Sequence, residues 1–281
     1  MSSGPLTVEV DLADGARITR LCEHTSGREW LADDRRPGRA PRGPRVAFAD
    51  TALSGWDECA PTVDACVVDT AEGPWAVGDH GELWSRPWTG DTVVHEVRAS
   101  RFSLQRTMVP TARGVRLDYR VTPHGPRLLP FLWTAHPQFR LRPGTRLVLP
   151  APAGVRRVQP SPDLSDVWSE VIDPTAPVAP GRVAKWWLDP EGPAASWAAL
   201  LDDDGGWLRM RWDPADLPYL GIWVDRGCLA DGEVLAIEPS TDWYDRLDRA
   251  VAADRVWTLY GAPRHWSVLV EVGRDGDPRP R

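Results

Sequence analysis

Phe102-Ser103-Leu104-Gln105-Arg106-Thr107-Met108 and, a few residues on, Val115-Arg116-Leu117-Asp118-Tyr119-Arg120-Val121 decide the fold class. In both, apolar and polar residues alternate with a period of two, which puts one set on a buried face of a β-strand. The pattern recurs outward in both directions. Leu6 to Leu12 and Thr92 to Arg98 carry it before these runs, and Trp207 to Trp212, Val234 to Ile237 and Trp266 to Val272 carry it after them. Pro and Gly punctuate the runs, as expected of strands joined by turns. One segment reads as helix, Asp242 to about Asp254, with Leu247, Ala250 and Val251 on one side and Ser240 or Thr241 as its cap. Ala151 to Ala184 is proline-rich and aperiodic, so it reads as a long loop with a short strand near Val167–Ile172. No repeat or linker divides the chain, and residues 1–281 read as a single antiparallel all-β domain.

Composition narrows the function. The chain is 42% hydrophobic and 26% charged, as in a globular protein, with a formal charge of −7. That balance argues against nucleic-acid or anionic-membrane partners, which need a positive footprint. No apolar stretch approaches the length of a membrane span, and no basic segment followed by an apolar run opens the chain, so a cytoplasmic location is expected. Cys22, Cys59, Cys66 and Cys228 form no CxxC pair and read as free thiols. Lys185 is the only lysine, so a Schiff-base mechanism would have to use it. HExxH, P-loop and GxSxG motifs are absent, and the spacing of His80 and His136 points to no metal; no cofactor is expected.

Two islands stand out in a chain with only six histidines: Asp79-His80-Gly81-Glu82-Leu83-Trp84-Ser85-Arg86-Pro87-Trp88 and Leu132-Trp133-Thr134-Ala135-His136-Pro137. Each sets a histidine, which exchanges protons near neutrality, beside a tryptophan, whose face suits the C–H face of a sugar. Glu238 directly follows an apolar run, where a carboxylate is costly to bury without a partner. Asp57 and Glu58 lie between Trp56 and Pro61, and Asp225 ends the run Leu220 to Val224. Each has a plainer reading as well: a loop histidine at His80, a core histidine at His136, a helix-start acid at Glu238, solvated turn acids at Asp57 and Glu58. Most of the sixteen tryptophans belong to the core; Trp84, Trp88, Trp133 and Trp223 neighbour the polar islands and are candidates to line a sugar cleft.

In order, these islands resemble the aldose 1-epimerase, or galactose mutarotase-like, superfamily, in a bacterial branch. Gly15-Ala16-Arg17-Ile18 with Ser26 to Leu31, Gly55-x-Asp57-Glu58-x-x-Pro61, Asp79 to Trp84, Pro130 to Phe139, Ala236-Ile237-Glu238-Pro239 and Trp266 to Val272 carry the resemblance over nearly the whole chain. It implies a β-supersandwich of antiparallel sheets with few short helices. It also implies interconversion of the α and β anomers of a hexose, by ring opening and reclosure without a cofactor. By the same resemblance Glu238 is the general base, His136 the general acid and His80 a positioning group. Asp225, Trp84, Trp133, Trp223, Arg86, Asp57 and Glu58 would hold the sugar. The better-known branch carries an arginine motif before its first histidine, where this chain has Trp56-Asp57-Glu58. Arg86 and Arg140 lie close to the histidine motifs and would suit a phosphorylated or acidic sugar. A small carbohydrate is the expected partner, with the chain a monomer or homodimer. Two alternatives are a non-catalytic carbohydrate-binding protein and a sugar lyase or isomerase repurposed on the same fold.

Overall fold

Alternation becomes register in the computed structural model, which describes residues 2–151, 153–159, 165–243 and 245–280. Strands Phe102–Thr111 and Gly114–Pro123 pair antiparallel without a break, from Phe102 opposite Pro123 to Thr111 opposite Gly114. Arg264–Arg274 pairs along the other side of Gly114–Pro123. The alternating residues Leu104, Met108, Leu117, Tyr119, Val268 and Val270 are buried, as the period of two requires. These three strands are the middle of a nine-stranded sheet. A second sheet has eleven strands, and in its centre Trp56–Cys59, Thr134–Pro137, Glu233–Ser240, Tyr219–Arg226 and Val183–Leu188 lie side by side in that order.

The second sheet sends its two sets of alternating residues to different tasks. Trp56, Ala135, Ile222, Ile237 and Trp186 join Leu104, Leu117 and Val268 in one core shared by both sheets. Glu58 shares that face, and its carboxylate takes hydrogen bonds from Arg106 Nη1 at 2.9 Å, Tyr119 Oη at 2.8 Å and Trp133 Nε1 at 3.0 Å. The opposite face carries Asp57, His136, Glu238, Gly221, Trp223 and Lys185. Asp57 pairs with His136, Gly221 with Glu238, and Trp223 with Lys185. Thr134 pairs with Ser240, so two residues further along each strand His136 comes to lie across from Glu238. A functional face and a core face thus follow from one alternation.

Two expectations are corrected. The helix is shorter than its periodicity suggests, Leu247–Ala252, with Arg246 at its N-cap. Ser240 and Thr241 do not cap it: the Ser240 hydroxyl meets Thr134 Oγ1 at 2.8 Å, and Thr241 Oγ1 accepts the Trp133 N–H at 2.9 Å. Asp242 Oδ1 accepts the Trp257 N–H at 3.0 Å, so tertiary partners hold the chain out of the helix until Arg246. In the expected loop from Ala151 to Ala184, strand Ala153–Gln159 is additional to the expected one near Val167–Ile172, which is present as Ser165–Trp168 and Val171–Ile172; Val183–Leu188 begins at its end. A register shift between Arg157 and Gln159 interrupts the alternation that would have revealed the first of them. Residues 160–164 of that stretch lie outside the described residues. No helix among the described residues is long and apolar enough to cross a membrane.

Candidate active site

Four neighbouring strands build the floor of one cavity of about 330 Å³. Thr134–Pro137 contributes His136, Glu233–Ser240 contributes Glu238, Tyr219–Arg226 contributes Trp223, and Val183–Leu188 contributes Val183 and Lys185. Loops supply the walls: Phe48, Ala49 and Leu53, then Val63 and Asp64, then Asp79 and His80, then Leu229, then Asp245. The volume is at the small end of ligand pockets, which run from about 300 to 1,000 Å³, and it suits a monosaccharide. Two larger clefts, of about 490 and 600 Å³, are lined by paired arginines and acids, the buried Arg209 with Glu271 in one and Arg226 with Glu233 in the other. Neither brings a histidine to a buried carboxylate.

Glu238 is fully buried, and its Oε1 lies 3.8 Å from His136 Nε2. Neither Glu238 Oε1 nor His136 Nδ1 has a hydrogen-bond partner among the described residues. Glu238 Oε2 is held by Lys185 Nζ, which also sits 3.0 Å from Asp245 Oδ1. Burial raises the Glu238 carboxyl to about 7, against the pull of the Lys185 ammonium. Burial also drives the His136 imidazole well below its ordinary value, with His80, Lys185 and Arg42 acting in the same direction. At neutral pH Glu238 is therefore poised between its two forms and His136 rests neutral.

His80 is set by its own loop. Its φ is +57°, and its N–H donates to Val63 O at 2.5 Å. Asp79 Oδ1 holds His80 Nδ1 at 2.8 Å, while Asp79 Oδ2 accepts the Phe48 N–H at 2.8 Å. Burial tends to raise the Asp79 carboxyl, but these bonds outweigh it and hold the group below its ordinary value. Phe48 stacks on the His80 ring at 3.9 Å, and the His80 and His136 rings lie edge to face at 5.0 Å. Cys59, His80 and His136 bring one donor atom each within 4.8 Å of one another. Burial holds the Cys59 thiol well above its ordinary value.

His136, Glu238, His80 and Trp223 thus line one cavity. The other expected sugar contacts have partners elsewhere. Asp225 accepts the N–H groups of Cys228, Leu229 and Ala230 at 2.6 to 2.8 Å and so fixes a turn. Asp57 is buried in an ion pair with Arg42, and Arg42 in turn packs over the Trp84 ring. Trp84 donates its Nε1–H to Asp79 O at 2.9 Å, bracing the His80 loop from behind. Trp133 and Glu58 point into the core, and Trp88 is likewise buried. Arg86 pairs with Glu82 at 2.9 Å, and neither it nor Arg140 lines the cavity. Sequence reasoning missed Phe48, Asp64, Lys185 and Asp245. Only Lys185 carried a signal, as the single lysine; the others are ordinary loop residues until the fold brings them together.

No family model matches the chain, and no curated protein matches it by sequence. Its fold is nonetheless found among solved structures. The Slr1438 protein from Synechocystis sp. PCC 6803 superposes with a TM-score of 0.72 at 17% identity, covering 97% of this chain and 93% of that one. A galactose mutarotase-like protein from Lactobacillus casei ATCC 334 gives 0.69 at 16% identity, over 97% and 99% of the two chains. A protein provisionally named an aldose 1-epimerase, from Escherichia coli K12, gives 0.69 at 16% identity over 98% of each. The architecture is that of the galactose mutarotase-like proteins, a β-supersandwich of antiparallel sheets.

Proposed function

We propose that the protein is a cofactor-independent aldose 1-epimerase acting on an unphosphorylated hexose. The observation that carries this reading is the pair formed by Glu238 and His136, side by side on adjoining strands with Oε1 and Nε2 3.8 Å apart in a monosaccharide-sized cavity. An epimerase must remove a proton from the C1 hydroxyl and deliver one to the ring oxygen as the C1–O5 bond breaks. Both oxygens are bonded to C1, so an acid and a base on the same floor reach them.

The pair needs one proton between its members: Glu238 ionised to accept, His136 protonated to donate. The same proton count with Glu238 protonated and His136 neutral is the arrangement that burial favours at rest. The reactive form is its tautomer, with the C1 hydroxyl at Glu238 Oε1 and the ring oxygen at His136 Nε2. Rotation about C1–C2 of the open chain and reclosure then reverse the transfers. His80, fixed by Asp79, is placed to hold a hydroxyl, and Trp223 offers an apolar face. Four carboxyl groups line the cavity, Asp64, Asp79, Glu238 and Asp245, with Lys185 as the one Lys or Arg among the lining residues. That surplus disfavours a phosphorylated or acidic sugar.

Saturation-exchange NMR on α-glucose and α-galactose tests the reading. The protein is expected to speed exchange between anomers, and Glu238→Gln to lower kcat/KM about 10²–10⁴-fold. Sugar binding without exchange, unchanged in Glu238→Gln and His136→Asn, would instead identify a carbohydrate-binding protein.

A further inference from the structure

Lys185 is the only lysine in a chain of 33 Lys and Arg residues, and it is buried at the floor of the cavity. Its ammonium bridges two carboxylates from different segments: Glu238 on strand Glu233–Ser240, and Asp245 just beyond that strand. Asp245 Oδ2 is held in turn by the Trp187 indole N–H at 3.3 Å, and Lys185 Nζ lies 5.3 Å from the centre of that ring. Gly221, opposite both Glu238 and Trp187, leaves the space in which they meet. A Cβ there would come within 3.1 Å of Glu238 Oε2, 3.2 Å of Lys185 Cε and 3.4 Å of Trp187 Cε2. A compact ammonium fits between two carboxylates at this spacing, where a planar guanidinium fork demands a different geometry. That is a physical reason for a lysine in a chain that otherwise uses arginine.

We propose that Lys185, anchored by Asp245, is the positioning residue that keeps Glu238 ionisable and aims its free Oε1 at the substrate. The role rests on the reading of Glu238 as the base. It is electrostatic and geometric together. The groups facing Glu238 are His136 on the adjoining strand, Lys185 across Gly221, Asp245 beyond the strand end, His80, Asp79 and Asp64 in the walls, and Cys59 on the next strand. Asp245 and burial favour the protonated carboxyl; Lys185 opposes them. Two carboxylates hold Lys185 itself protonated, its affinity for the proton raised despite burial. An ammonium is no nucleophile, so the open-chain aldehyde of a sugar is not captured as a Schiff base.

Infrared titration of the Glu238 carboxyl, isolated as the difference between the parent protein and Glu238→Gln, tests this without any substrate. The parent midpoint is expected near 7. Lys185→Met is expected to raise it by more than one pH unit, and Asp245→Asn, which removes a like charge and leaves Lys185 to Glu238 alone, to lower it. Lys185→Arg restores charge without the geometry, so the midpoint is expected to return towards the parent's while kcat stays depressed at least tenfold. A purely structural Lys185 would lower thermal stability in each variant and leave the midpoint in place, which overturns the proposal. If Lys185→Met does not fold, an unmoved midpoint in Asp245→Asn overturns it equally. Opposite shifts in a protein that exchanges no sugar anomers would uphold the coupling of Lys185 to Glu238 and overturn the epimerase reading instead.

Discussion

Asp57 and Glu58 are chain neighbours with different surroundings, because a strand turns successive side chains to opposite faces. Asp57 faces the same side as His136 and pairs with Arg42; Glu58 faces the core and meets Arg106, Tyr119 and Trp133. Removing the charge of Glu58 would strand the fully buried Arg106 guanidinium without its counter-ion. Breaking one partner of such a buried pair costs about 3–5 kcal/mol. Glu58→Gln is accordingly expected to lose a few kcal/mol in urea unfolding, while the anomer-exchange rate per folded molecule stays within a few-fold of the parent. Near-parental stability with lost exchange would return Glu58 to the sugar. The residue types of the site were legible in two scarce histidines and a carboxylate after an apolar run, while the lone lysine stood out without being placed there. Their partners were not, because Asp225 and Trp84 satisfy backbone groups that no local pattern announces.

Strands supply the floor and loops the walls, and the two differ in how far sequence reveals them. Alternation located the long hairpin of Phe102–Thr111 and Gly114–Pro123, as well as the strand that ends at Ser240, since a half-buried strand must show its period. It could not locate the cavity walls, whose shape depends on contacts between distant loops. The His80 loop is one such wall. Gly81 has a φ of +75°, and a Cβ on it would lie 2.1 Å from Ala60 O, the atom that accepts the Glu82 N–H. Gly81→Ala must therefore strain or displace the turn that presents His80, at roughly 1–3 kcal/mol. Its expected outcome is lower stability in urea together with a raised KM for the sugar. A variant equal to the parent in both would mean that the loop does not need this backbone conformation to place His80.

Across the whole molecule, one buried network joins the two sheets, and its protonation ties stability to pH. Arg106 on strand Phe102–Thr111 reaches Glu58 on the opposite sheet, and its Nη2 lies 3.1 Å from His95 Nδ1 on strand Val94–Arg98. His95 is buried, and burial followed by the Arg106 cation lowers its imidazole from 6.5 to about 4. Between those values the unfolded chain binds a proton that the folded protein does not. Stability from this group is therefore complete above pH 6.5 and is lost as pH falls towards 4. The limiting slope is about 1.4 kcal/mol per pH unit, and allowance for solvent screening near this sheet edge leaves a total of ~2 kcal/mol. His136, lowered in the same direction, adds to the acid lability, whereas the raised carboxyls of Glu58, Glu238 and Asp242 oppose it. The parent curve alone therefore does not isolate His95. His95→Asn keeps an acceptor for Arg106 but cannot titrate. The difference in unfolding free energy between parent and variant, measured in urea from pH 7.5 to 4, is expected to shift progressively in favour of the variant as pH falls below 6.5. A difference that stays constant with pH would show that His95 has the same proton affinity folded and unfolded, and that the junction of the two sheets tolerates a charged imidazole beside Arg106.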